Sequence, residues 1–519
     1  MIALDRIRIK GFRGIRSLEM PLGRNCVLIG ANNCGKTSVL KALHLALSDE
    51  AVATRADFHY HSSTSEIANE ILIDVRFVPV NEAGERLSYF DSIWTKALQP
   101  GIQMDRRRKE YFAFRSRFVW DSVKESACRE RFLLSHWDRA QIGEKFEKLM
   151  DGIQMVRLDV DEDLRSVLSH EGSFQNRAIK EIHQDLINHP QYIDTPIEDL
   201  RQLLNRLSET LEGPGSALPE TVTLSAETIG QFFQWIKNDQ DSITQAMMKG
   251  LGSQKTLMTL STVTLIEGLT RQAKAHQWPL FILIVSEEPE LHLHPNAQRT
   301  LMRVLMNLSH QLIVSTHSPY VASVVDPQAL RSMSRVGKNI DIRWLPRRMD
   351  PCDVRMLKRL ILRFRGEVLF ANGLMFVEGV TEEQLIRGMF HAYFGEDPSA
   401  YGITIVGVDG KSYSPFLLLA MSLRKPFCIV SDNDGDTSHV VLKQLTDMEK
   451  KLGYRHEDHQ SGVFFLSPGL ALEGELVQKL KIRAELIESL LACSNLTDQS
   501  PKNPVSYTHL RAHETGAYL

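Results

Sequence analysis

The feature that most restricts what this chain can fold into is Gly30-Ala31-Asn32-Asn33-Cys34-Gly35-Lys36-Thr37. It fits G-x-x-x-x-G-K-[ST], the loop that wraps nucleotide phosphates. Its flanks come in the required order. Asn25–Ile29 is a short apolar segment that reads as a buried strand, and Ser38–Leu47 has helical character. The glycines let backbone N–H groups turn toward phosphates, and the helix N-terminus adds its positive dipole end. In that setting Lys36 reaches the β- and γ-phosphates of ATP and Thr37 ligates Mg²⁺. Gly30, Asn33, Gly35 and Ser38 complete the expected cradle. The plain alternative is an ordinary glycine turn, which the flanks disfavour.

Composition narrows the setting. The chain has 519 residues, a length for which roughly three domains is the soft expectation. A net charge of −3 gives no bulk nucleic-acid signature, so any polyanion must be met by local patches. No apolar run is long enough for a transmembrane helix, and Met1–Arg6 lacks a secretory apolar core. Six cysteines, at 26, 34, 128, 352, 428 and 493, form no C-x-x-C pair. They read as reduced thiols of a cytoplasmic protein, neither a disulfide framework nor a zinc site.

Taken in order, Ala3–Ile9 and the stretch around Leu18–Met20 read as strands separated by the Gly11–Gly14 turn, and Glu70–Phe77 as a further strand. Arg106-Arg107-Arg108-Lys109 followed by Tyr111, Phe112, Phe114, Arg115, Arg117 and Phe118 admits two readings. One is a nucleic-acid surface; the other, preferred, is a half-buried strand with a charged outer face. From Glu130 to Leu211 the pattern is helical and charge-rich, with Gly213-Pro214-Gly215 as a breaker. Residues 96–244 are therefore expected to form a mainly helical insertion, serving dimerisation, within an ATPase domain of residues 1–95 and 245–345.

Pro279–Val285 is a continuous apolar run that ends in Ser286-Glu287-Glu288-Pro289-Glu290. That pattern is a buried parallel strand delivering carboxylates at its C-terminal edge. Glu287 stands where an acid holds the Mg²⁺ water shell, and Glu288 where one orients or deprotonates the attacking water. His292 and His294 follow two apart, with no further Cys or His nearby to complete a zinc site. Gln311–Thr316 is another buried strand, ending in a polar turn that puts His317 beside the γ-phosphate as a sensor. The opening, with its K-G-F-R-G-I turn before the glycine loop, resembles ATPases of the RecF/SMC and ABC type. Gly250–Lys255, before the apolar run Leu257–Leu269, is similar to a degenerate ABC signature. That likeness implies that Ser253 faces the nucleotide of a partner subunit.

The second half bears on the reaction. Gly373–Glu382 is a short apolar strand ending in Glu378, with Thr381-x-x-Gln384 reading as a capping box and Glu382 in the first helical turn. Lys425–Asp436 repeats the device, a buried strand followed by Asp432 and Asp434 on one side of an extended segment. Gly462–Leu466 leads toward Glu473. Carboxylates gathered at strand ends repel one another unless a cation sits among them, and hard oxygen ligands favour Mg²⁺ or Mn²⁺. Such a site suits in-line attack on a phosphodiester. Ordinary acidic loops are the plain alternative. His456-Glu457-Asp458-His459 reads as a solvated loop.

V-E-G-x-T-E followed at this distance by D-x-D resembles the TOPRIM fold of topoisomerases, primases and nucleases of the overcoming-lysogenization-defect (OLD) family. An ABC/RecF-like P-loop ATPase with a mainly helical insertion, followed by a TOPRIM domain over residues 367–503, is the OLD arrangement. The resemblance implies an α/β chain that binds ATP and Mg²⁺. It also implies metal ligands at Glu378, Asp432, Asp434 and Glu473, with Glu382 supporting. The activity implied is DNA cleavage by a homodimer or higher oligomer in defence against phage or other foreign DNA, with a helicase-like or retron-type partner. A basic residue near the domain's end, which steadies the scissile phosphate in the family, has Lys502 as its one candidate here, in a poor context. Residues 504–519 look like non-native read-through, which would put the native C-terminus and that lysine in doubt. The rival expectations are a RecF/SMC-like repair ATPase whose TOPRIM domain does not cut, and a nucleotide-sensing scaffold that releases a toxin.

Overall fold

The computed structural model describes residues 1–61, 66–149, 152–158, 266, 270, 273–291, 293–337, 339–346, 349–364, 366–433, 435–459, 461–472 and 475. The chain divides into two units, Met1–Arg347 with Ile361–Phe370, and Arg348–Leu360 with Ala371–Leu519.

The first unit opens with the hairpin β1 (Ile2–Phe12) and β2 (Ile15–Pro21), then β3 (Asn25–Ile29) and α1 (Lys36–Leu47). The short pair β4 (Tyr60–His61) and β5 (Glu66–Ile67) precedes β6 (Glu70–Pro79), α2 (Ser92–Leu98) and β7 (Ile102–Met104). β8 (Glu110–Asp121), β9 (Ser126–His136), β10 (Gln141–Phe146) and β11 (Ile153–Arg157) follow. The chain resumes with β12 (Phe281–Glu287), α3 (Pro295–Met306), β13 (Gln311–Thr316), α4 (Pro319–Ser323), β14 (Leu330–Val336) and β15 (Asn339–Arg343).

These strands make two sheets. One is antiparallel, in the order β10-β9-β8-β6-β1-β2 with β7 on β8. The other runs β11-β12-β13-β3-β14-β15, parallel except for its last pair. α1 packs against strands of both and buries Val39, Leu40, Ala42, Leu43, Leu45, Ala46 and Leu47. A helix apolar nearly all round is a core helix, and each buried leucine contributes on the order of 2 kcal/mol. Gln311 stitches the sheets. Its buried amide donates to the carbonyls of Leu4 (2.8 Å) and Gly23 (2.7 Å) and accepts from the Leu4 N–H at 2.9 Å.

The helical expectation for residues 96–244 is corrected over its described part, where β7–β11 are strands. The basic–aromatic run is β8, the half-buried strand. Phe112, Phe114 and Phe118 are buried. Arg115 pairs with Asp74 (2.7 Å) and Arg117 with Glu70 (2.8 Å). In β9, charges that imitate a solvated helix face point inward. Arg131 is 1% exposed and donates to the carbonyls of Ala46 and Ser48 and to the Asp49 carboxylate. Arg129 donates to Ser48 (2.7 Å), Ala51 (3.3 Å) and Asp49 carbonyls. Together they satisfy carbonyls at the C-terminal end of α1, which the helix itself leaves without partners.

The second unit carries β16 (Gly373–Val377), α6 (Val380–Phe394), β17 (Ile403–Gly407), α7 (Ser414–Ser422), β18 (Phe427–Ser431), α8 (Thr437–Leu452) and β19 (Gly462–Phe465), after α5 (Pro351–Arg363) in the chain. Its sheet is wholly parallel, in the order β17-β16-β18-β19. The capping box expected at Thr381 is not formed. Gly379 is the N-cap, and no side chain caps the helix. A Cβ at Gly379 would lie 3.0 Å from a Glu382 carboxylate oxygen, so the acid of the first turn lies close to the helix start. Among the described residues no helix is long and apolar enough to cross a membrane. Cys26, Cys34, Cys128, Cys352 and Cys428 are free thiols; Cys493 lies outside the described residues.

Candidate functional site

In the first unit, parallel register brings three strand ends to one edge. Glu287 pairs across from Ser315, and Thr316 from Ile29. The glycine loop leaves β3 at that edge. Gly30 has φ +147°, and a Cβ there would sit 2.2 Å from the Met333 carbonyl oxygen. Gly35 has φ +99°, and its Cβ would meet the Ile340 Cδ1 at 2.3 Å. Both motif glycines are thus required by the backbone. Asn33 takes the left-handed region too, at φ +61°, as asparagine can. α1 starts at Lys36 behind Gly35, and no side chain caps it, the arrangement in which first-turn N–H groups suit an anion. Ser38 lies in that first turn. The buried Lys36 ammonium folds over the loop and donates to the carbonyls of Gly30 (2.9 Å) and Ala31 (3.0 Å). Burial pulls its pKa below the ordinary lysine value, against the opposing pull of Cys34, Glu288 and Glu287.

The acids meet this loop. The Thr37 hydroxyl donates to the Glu287 carboxylate, across 250 residues of sequence. Glu288 adopts φ +46°, a strained conformation for this residue type and one common at functional sites. Its N–H is held by the Ser315 carbonyl at 2.9 Å. His317 Nε2 lies 3.5 Å from Glu288 Oε1. Burial, then the nearby Lys36 charge, lowers the His317 pKa against the opposite pull of Glu288 and Glu290. The ring is therefore neutral at pH 7.

Glu290 had no role assigned from the sequence, yet it organises the turn. It is buried, and one carboxylate oxygen accepts from Thr316 Oγ1 (2.5 Å), His317 N (3.0 Å) and Ser318 N (3.1 Å). Its partners follow it by up to 28 residues, so no local pattern marks it. Glu290→Ala strands those donors in the interior, and we expect it to lower unfolding free energy by about 2–4 kcal/mol, read from urea midpoints. An unchanged midpoint would remove the clamp from the account.

In the second unit, β16, β17 and β18 again end on one edge, Val377 opposite Gly407 and Phe376 opposite Ile429. Glu378 follows β16 and Asp432 follows β18. Asp432 is nearly buried, at 9% exposure. Glu382 stands in the first turn of α6. The fully buried Tyr413 phenol has its pKa pushed up to about 12, first by burial and, against the lowering effect of the Ser431 hydroxyl, by the charges of Glu378, Asp432 and Glu382. Glu383, the neighbouring acid, is used differently and accepts from the Gly407 N–H at 3.1 Å. Oxygen donors of this kind fit Mg²⁺ or Mn²⁺. Among the described residues, however, no three His, Cys, Asp or Glu side chains converge as a complete metal cage. Asp434, Glu473, Ser253, Lys502 and His292 lie outside the described residues. His456 belongs to a local pair, its Nδ1 2.8 Å from Glu449 Oε1.

Together these features define an ABC-type P-loop head followed by a TOPRIM domain. Residues 1–357 match the family model described as "Protein of unknown function (DUF2813)", and the chain belongs to that family. Residues 369–434 match "Overcoming lysogenization defect protein-like, TOPRIM domain", which gives the chain the OLD arrangement. It is 25% identical over 462 residues to a protein named OLD nuclease from Thermus scotoductus, covering 83% of this chain and 82% of that one. It is 24% identical over 487 residues to the uncharacterized protein YbjD of Escherichia coli, covering 87% and 84%. Among solved structures it is similar to an Smc head bound to the C-winged helix domain of ScpA. That likeness has 14% identity and a TM-score of 0.40, and it covers 66% of this chain and 98% of that one.

Proposed function

We propose that this chain is an ATP-hydrolysing, metal-dependent DNA endonuclease of the cytoplasm, used against phage or other foreign DNA. The observation that carries the reading is that the parallel strands β16 and β18 end on one sheet edge and are followed directly by Glu378 and Asp432, on the same chain as a P-loop head. The name of the Thermus relative, a nuclease, supports cleavage of nucleic acid. Glu378 and Asp432, together with Asp434 and Glu473, would hold Mg²⁺ or Mn²⁺, and Glu382 would support them. Such a cation supplies an activated water and stabilises the leaving oxygen. Lys502 would steady the scissile phosphate.

In the head, Thr37 and Glu287 would hold the magnesium of Mg-ATP, and Lys36 would bind its β- and γ-phosphates. Glu288 would accept a proton from the attacking water, and neutral His317 would donate to the γ-phosphate. Ser253 would complete the site of a second copy, which makes a homodimer the working form. A helicase-like or retron-type protein is the proposed partner.

The rival reading is a RecF/SMC-like ATPase whose TOPRIM domain does not cut. Supercoiled plasmid with Mg²⁺ or Mn²⁺ separates the two. The wild type should nick it, and Glu378→Ala and Asp432→Ala should each cut about 100-fold more slowly or worse. A wild type that leaves plasmid intact, as the variants do, gives the rival the better case.

A further inference from the structure

A site built of carboxylates repels the polyanion it is meant to cut, so it needs a cation fixed on the same edge. We infer that Lys411 supplies such a cation, in addition to the role proposed for Lys502, and binds a phosphate of the nucleic-acid substrate, an inference that rests on the nuclease reading above. The loop after β17 is seated against Glu378. Val408 N–H donates to the Val377 carbonyl (2.9 Å), and Gly410 N–H to the Glu378 carbonyl (3.0 Å). Asp409 and Gly410 both take the left-handed region, at φ +58° and +102°, which turns the chain sharply just before Lys411.

Gln444 of α8 holds the other side. Its Nε2 donates to the Lys411 carbonyl (2.7 Å), and its Oε1 accepts from the Ser414 N–H and hydroxyl, both at 2.9 Å. The Lys411 ammonium reaches Asp436 at 3.2 Å. Asp436 is the N-cap of α8 and the last acid of the segment that begins at Asp432. The ammonium therefore links the loop braced on Glu378 to the acidic loop after β18, and its backbone is held at both ends.

The pair with Asp436 does not lock it there. Asp436 is 76% exposed and Lys411 39%. Ion pairs in water at such exposure contribute little, so exchanging Asp436 for a phosphate oxygen costs the ammonium little. A lysine recognises phosphate as a mobile point charge, which suits a group that must leave one anion for another.

The test uses the full chain, a fluorescent DNA duplex and EDTA, so that binding is read without cleavage. Lys411→Ala should weaken binding about tenfold and reduce the slope of log affinity against log salt by about one. Lys411→Arg should restore most of the affinity. Gln444→Leu should give a partial loss, because it frees the backbone while leaving the charge. With Mg²⁺, Lys411→Ala should raise KM more than it lowers kcat. Unchanged affinity, salt slope and KM in Lys411→Ala, with an unchanged melting temperature and a wild type that cuts, would overturn the inference and leave the nuclease reading standing. A wild type that binds DNA through Lys411 but never cuts would overturn the nuclease reading and keep the phosphate contact.

Discussion

Glu288→Gln should slow ATP turnover about 100-fold or more, because a positioned general base is worth about 10²–10⁴. Nucleotide affinity should change little. The substitution keeps size and hydrogen-bonding shape but cannot accept a proton, and the loop's own contacts, Lys36 to the Gly30 and Ala31 carbonyls and Thr37 to Glu287, do not run through Glu288. Its position is set by the backbone as much as by the side chain, with φ +46° and an N–H held by Ser315. The His317 ring 3.5 Å away stays neutral at pH 7, so an amide in place of the carboxylate leaves no stranded cation. Phosphate release and binding of a fluorescent ATP analogue measure the two quantities separately. Turnover at the wild-type rate would take the base role from Glu288. Loss of binding together with turnover would point to a disturbed fold. If DNA cutting survives in this variant, nucleotide gates the nuclease rather than driving it.

The largest effect on stability is expected at Asp57. It is fully buried and joins the β1–β2 turn to α1, pairing with Arg13 (2.8 Å) and Lys41 (3.0 Å) and accepting from the Thr54 N–H and hydroxyl, both at 2.9 Å. Burial works to raise its pKa. The Thr54 N–H, Arg13, Lys41 and the Thr54 hydroxyl outweigh it and bring the value from 3.8 to about 2. Asp57→Ala leaves two cations beside an empty acceptor site and should cost about 3–5 kcal/mol. The pH dependence has a definite sign. The folded pKa is depressed, so the ionised carboxylate stabilises the fold above the unfolded value of 3.8, and that share is lost as pH falls toward 2. The share amounts to about 2 kcal/mol. Urea midpoints between pH 5 and pH 2 should therefore fall in the wild type and fall less in Asp57→Asn. Parallel curves for the two proteins would put the acid sensitivity elsewhere.

What could be read from the sequence was whatever chemistry leaves in local order. The loop from Gly30 to Thr37 and the run from Phe281 to Glu288 announce themselves because a buried parallel strand is continuously apolar and its end is abruptly polar. The same rule marks Glu378 and Asp432. Contacts across the fold left no such trace. Glu290 sits in the quoted acidic run, but its work depends on three donors of a different strand end. Lys411 gains its place from Gln444 and the Glu378 carbonyl, neither of which a pattern search connects. β9 was misread for a physical reason. Arg131 is buried and Arg129 half-buried, both donating to carbonyls at and just beyond the end of α1, and a charge that faces carbonyls looks the same in sequence as one that faces water. α6 starts behind Gly379 with no side-chain cap, so the Thr-x-x-Gln pattern, read alone, pointed to a cap that the chain does not use.

β11 and β12 lie side by side in parallel register, from Ile153 opposite Phe281 to Arg157 opposite Val285, although more than a hundred positions separate them in the chain. Pairing strands so far apart in sequence closes a long loop of chain on folding, and halving or doubling the length of a closed loop shifts its closure entropy by only about 0.6 kcal/mol. The edge that carries the acids is thus nearly indifferent to how many positions separate the two strands. Relatives could lengthen, shorten or exchange the segment without re-engineering the strands that carry Glu287 and Glu288.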